Sequence, residues 1–139
     1  MRREAGDTRA IAAAVKCLGL LALARGDYER GARTLREGVA AYRATRDKRG
    51  IANCLEGLAG IALARAELPE AARLLGAVGS LLDLVGGRVQ WRGRYERDLV
   101  AVRGRMSEPD FEHAWAKGHA MTLDEMIAHV VDEVRSGIR

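Results

Sequence analysis

Ile11, Val15, Leu18, Ala22 and Leu23 follow one another at intervals of 4, 3, 4 and 1, the apolar stripe of an amphipathic helix. Arg25-Gly26-Asp27 closes that helix and opens another. Gly26 suits the left-handed residue that ends a helix, and Asp27 suits the cap of the next. In a second hairpin Pro69 has the preset first-turn geometry for a helix that ends around Val85-Gly86-Gly87. From about Arg88, the residues Trp91, Tyr95, Leu99, Val102 and Met106 are spaced 4, 4, 3 and 4 apart and make one narrow apolar face. Thr122-Leu123-Asp124-Glu125 is a capping box, with Met126, Ile127, Val130, Val131 and Val134 as the buried side of the helix that follows. That helix has no sequence partner and is expected to cap the last unit, while residues 1–6 and 136–139 are expected to fray.

The same pattern recurs at a fixed interval. Residues 7–42 laid over 47–82 without a gap give twelve identities, among them Ile11/Ile51, Leu18/Leu58, Ala22/Ala62, Arg25/Arg65 and Leu35/Leu75. A degenerate third copy keeps Arg105 in the Arg65 place and Pro109 in the Pro69 place, with Phe111 and Trp115 opposite Ala71 and Leu75. A period of forty predicts stacked units, because one helical hairpin cannot bury its own apolar face. The expected architecture is all-α, a single domain over 1–139, with repeats at 7–46, 47–86 and 87–122 and a capping helix at 123–136.

Composition sharpens this picture in a few places. With 48% hydrophobic residues but only 4% aromatics, the core must be built from small and aliphatic side chains. Net charge is +4, yet of 23 basic residues only Lys16, Lys48 and Lys117 are lysine, so the arginine excess is read as compositional rather than as phosphate binding. Cys17 and Cys54 form no CxxC or Cys/His spacing, which suits free buried thiols in a reducing cytoplasm. Lys16 interrupts the apolar N-terminal stretch, and no uncharged run reaches the ~18 residues of a membrane span.

Leu18-Gly19, Ala22, Gly26-Asp27-Tyr28, Leu35 and Gly38, with Leu58-Ala59, Ala62, Ala71, Leu75 and Val78 in the second unit, resemble the tetratricopeptide-repeat pattern. The forty-residue period and the ending FEHAWAKGHAMTLDEMIAHVV are similar to the C-terminal helical region of large bacterial regulators that couple an ATPase module, and sometimes a LuxR-type DNA-binding module, to such repeats. The resemblance implies a right-handed superhelical array and a non-enzymatic protein-interaction or regulatory scaffold. The chain has no GxxxxGK[ST] loop and no separate DNA-binding domain, so neither ATP hydrolysis nor DNA recognition carries over.

In tetratricopeptide repeats ligands lie against the first helices of the hairpins, on the concave side. Position by position, this implies Ala13, Lys16 and Leu20, then Asn53, Glu56 and Gly60, then Glu96 and Val100, as a surface for a protein or peptide partner. Lys16, Asn53 and Glu56 are its polar members, and the competing reading is an ordinary solvated helix face. Uncovered end faces would be met by self-association as a homodimer or by further chain. The alternative reading is nucleic-acid binding through the arginine-rich stretch 88–105, with Arg88, Arg92, Arg94 and Arg97 as contacts, but Trp91 and Tyr95 share the apolar stripe and favour a core face with solvated arginines. His113, His119 and His129 have no metal-pair spacing, the acids Glu108, Asp110 and Glu112 read as first-turn residues, and no catalytic group or cofactor cradle is expected.

Overall fold

The computed structural model describes residues 2–85 and 92–136, with side-chain surroundings for 10–85 and 93–131. Seven helices and no strand lie among the described residues: α1 (Arg2–Ala24), α2 (Tyr28–Tyr42), α3 (Lys48–Ala64), α4 (Leu68–Val85), α5 (Arg92–Arg103), α6 (Glu108–His119) and α7 (Leu123–Ser136). The all-α expectation holds. Trp91 and Arg88, placed in the third unit by the sequence, fall outside the described residues, whereas residues 2–6, expected to fray, continue α1.

The turns follow local chemistry. Gly26 takes φ +81, and its copy in the second unit, Ala66, takes φ 61 without the freedom of glycine. A side chain in that region costs roughly 1 kcal/mol, so Ala66→Gly is expected to stabilise the protein by about that amount, read as a raised denaturation midpoint. Asp47 caps α3 by accepting from the Gly50 N–H at 3.1 Å, and Ser107 caps α6 through Asp110 N–H at 3.2 Å. Thr122 and Glu125 form the expected reciprocal box, at 3.1 and 2.8 Å. Asp27 differs: its side chain makes no cap bond to α2 and instead pairs with Arg30 at 3.5 Å.

α1 folds back on α2 and α3 on α4, as two hairpins stacked in series, with α1 also touching α3. Small residues set the spacing. Leu35 of α2 sits over Gly19 and Gly57, and the Tyr42 ring lies on Gly50. Leu35, Val39, Ile51, Leu55, Leu75, Val78 and Leu81 form the core between the hairpins, all at or near zero exposure.

The third unit departs from the expected hairpin. α6 packs along α4, and α5 meets α6 only near their junction, where Arg103 grips Glu108 and lies 5.0 Å above the Phe111 ring. Two glycine contacts explain the preference: at Gly76 and Gly118 the backbones of α4 and α6 touch, a closer approach than α5, with no glycine facing α6, could make. α7 also lands elsewhere. Rather than covering the last unit it returns to α2, with Arg46 donating to Asp124 at 2.9 Å and His129 contacting Glu70 at 2.8 Å, while Met126, Ile127 and Val130 are buried. Val134, expected on that buried side, lies outside the described side chains.

Candidate interaction surface

The surface proposed from sequence divides in two once its residues are placed. Ala13, Lys16 and Leu20 lie along one side of α1, with Ala13 exposed and the other two half-buried; Leu20 reaches Gly57 of α3. Asn53 on α3 is half-buried and its amide donates to the Arg49 carbonyl one turn back at 3.2 Å. Gly60, also half-buried, lies where a Cβ would meet Leu23 of α1 and Asp98 of α5, both at van der Waals distance. Glu96 and Val100 of α5 are exposed, Val100 to 72%. α1, α3 and α5 thus lie side by side, and Lys16, Leu20, Asn53 and Gly60 form one neighbourhood along α1 and α3.

Glu56 does not belong to that solvated face. It is fully buried, the one buried charged residue among those described. α5 lies over it, with Arg94 in ion-pair contact and Asp98 hydrogen-bonded to its carboxyl. Burial, reinforced by Asp98, pushes the Glu56 carboxyl up to about 9, against the opposing pull of Arg94. Neither Glu56 oxygen receives a well-aligned N–H, which fits a protonated carboxyl acting as donor to the Asp98 carboxylate. The sequence pattern grouped Glu56 with Asn53 and Gly60 on α3 but could not foresee that α5 closes over it. The signal that could have found the cluster is Arg94 and Asp98 four residues apart on α5, a helix-face pair able to bracket one carboxyl.

The same contact alters the nucleic-acid alternative. Arg94 is committed to Glu56, and Arg103 to Glu108 at 2.6 Å. Of the four arginines proposed for that role, Arg97 is exposed, Arg94 is held internally, and the side chains of Arg88 and Arg92 lie outside those described. Tyr95 and Val102 are buried, as the core-stripe reading expects.

Cys54 is buried between Gly38 and Lys16 and its thiol is pushed up to about 12, chiefly by burial, while Cys17 is exposed rather than buried as expected. Among the described residues no group of three or more His, Cys, Asp or Glu could hold a metal ion, and no helix is long and apolar enough to cross a membrane.

No protein-family model matches the chain, and no solved structure matches it significantly. Curated relatives do. A protein named as an HTH-type transcriptional regulator in Mycobacterium bovis, and proteins of the same name in two strains of Mycobacterium tuberculosis, are each 36% identical over 83 residues, which is 58% of this chain and 9% of theirs. The chain spans less than a tenth of the length of these relatives.

Proposed function

We propose that the chain is a tetratricopeptide-like, right-handed array of helical hairpins that serves as the protein-interaction or sensing part of a bacterial transcriptional regulator in the cytoplasm, binding a protein or peptide rather than catalysing a reaction. The observation that carries this reading is the serial stacking of α1–α2 on α3–α4 in forty-residue register, together with 83 residues of similarity to proteins named as HTH-type transcriptional regulators. Such an array presents its first helices edge to edge, which gives an extended partner a ladder of side chains from successive units. Here that ladder is Lys16 and Leu20 of α1, Asn53 and Gly60 of α3, and Glu96 and Val100 of α5. Glu56 supports the ladder from beneath by fastening α5 to α3.

A second reading, binding of nucleic acid through α5, has the exposed Arg97 in its favour. One experiment separates the two. The immobilised chain is exposed to lysate of its own host, and captured protein and nucleic acid are both quantified, for the wild type, for a Lys16→Glu/Asn53→Arg variant and for Arg97→Glu, with circular dichroism confirming the helices. The interaction reading expects a specific protein retained by Arg97→Glu and lost by the double variant. Nucleic acid captured with a steep salt dependence and lost in Arg97→Glu would replace it with the second reading.

A further inference from the structure

One strip of α1 does not fit a finished surface. Ala10, Ile11, Ala14, Cys17, Leu18 and Leu21 face outward with no charge among them, and Ile11, Leu18 and Leu21 keep 59%, 60% and 47% of their area in solvent. Forty residues on, the register copies Ile51, Leu58 and Ile61 keep 0%, 4% and 2%. The difference lies in what covers them. In the second unit α2 runs antiparallel along the strip, so that Ile61 meets Gly31, Gly57 meets Leu35, Cys54 meets Gly38 and Gly50 meets Tyr42. Among the described residues no helix runs along the corresponding strip of α1.

α1 itself carries the spacing that this place calls for. Ala14, Leu18, Leu21 and Arg25 repeat the intervals of Gly31, Leu35, Gly38 and Tyr42. We propose that a second copy of this chain covers the strip, α1 against α1, antiparallel and two-fold symmetric. Leu18 then stands over the partner's Cys17 as Leu35 stands over Gly57, and Leu21 over the partner's Ala14. Where α2 has Gly38 against Cys54, the pair places a leucine against an alanine, so large still meets small along the contact. An isologous contact of this kind closes at two subunits.

The pairing continues an interface already present in the fold, the α2–α3 contact, using its register and its direction. Among the described residues the other exposed large apolar side chains, Leu84 and Val100, stand singly on α4 and α5, and α6 turns Glu112, His113 and Lys117 to solvent. The strip from Ala10 to Ala24 is ~22 Å long. One helix-wide contact of that length falls short of the ~800 Å² per partner of a stable dimer, so the association is reversible and set by concentration. It uses a different side of α1 from Lys16 and Leu20, so it stands or falls separately from the proposed partner surface.

Sedimentation equilibrium of the purified chain, from low micromolar to near-millimolar concentration, tests this together with a short bis-maleimide that bridges facing thiols. The wild type is expected to shift from monomer to dimer with concentration and to be trapped as a covalent dimer, trapping that Cys17→Ser abolishes. Leu18→Glu and, independently, Ile11→Lys change exposed residues, so each should retain the helical spectrum and remain monomeric throughout. A wild type that stays monomeric at every concentration overturns the proposal. So does a dimer that survives both substitutions or is trapped without Cys17, since a different face would then hold it.

Discussion

Gly118→Ala is expected to cost about 3 kcal/mol or more, at or beyond the upper end of ordinary overpacking, although the same substitution in an exposed helix interior would gain up to ~1 kcal/mol. The reason is the α4–α6 crossing. A Cβ on Gly118 would overlap the carbonyl group of Arg73 and lie 3.1 Å from the Ala77 nitrogen. Gly76 has the reciprocal problem against the Trp115 carbonyl and, at 2.9 Å, the His119 nitrogen. At most overpacked sites a flexible side chain rotates away; here both obstacles are backbone within regular helices, so α6 would have to move bodily. Movement of α6 would carry Phe111 and Ala114 out of the core. Gly60→Ala provides the contrast. Its Cβ would meet Leu23 and Asp98 at 3.5 and 3.6 Å, ordinary packing distances, so alanine there should be neutral or stabilising. Urea denaturation of the two variants beside the wild type decides the matter: similar midpoints for Gly118→Ala and Gly60→Ala would mean that the helices do not cross backbone to backbone.

That crossing also marks where the sequence stops being legible. The helices of the first two hairpins could be read because one short period dictates them: the turn at Gly26 and the spacing of apolar positions recur, and local chemistry decides where each helix stops, although Asp27 does not cap α2. The third unit kept the register of Arg105, Pro109 and Trp115 yet not the hairpin, because pairing of α6 with α4 depends on two glycines 42 positions apart in sequence, and nothing local couples them. The α1 stripe was misjudged for a related reason. Ile11 and Leu18 have the spacing of buried residues, and their copies are buried, but whether a neighbour is present to bury them is not encoded in periodicity. For the candidate surface, the helix face was readable for Lys16, Asn53 and Gly60. The fate of Glu56 was not, because it depends on where α5 comes to rest.

Glu56 should make stability fall as pH rises. Its carboxyl titrates near 4.5 when the chain is unfolded and is raised to about 9 in the fold, mainly by burial and then by Asp98. Between those values the folded state holds a proton that the unfolded state has released, so the unfolded form binds fewer protons and the unfolding free energy declines with pH. The contribution is complete below the unfolded value and is lost progressively up to about pH 9. Within the window a single such group costs up to about 1.4 kcal/mol per pH unit. Glu56→Gln keeps the shape and the hydrogen-bond donor toward Asp98 but has no proton to lose. Chemical denaturation at pH 5.5, 7 and 8.5 should therefore show the wild type losing stability steadily relative to Glu56→Gln, the gap widening upward because burial and Asp98 act only on the titrating carboxyl. Arg94 opposes the shift by favouring the charged form, so Arg94→Met should carry the loss of stability on to higher pH. Parallel curves for the wild type and Glu56→Gln would show instead that Arg94 holds Glu56 ionised throughout, and that the α3–α5 junction is an ion pair rather than a shared proton.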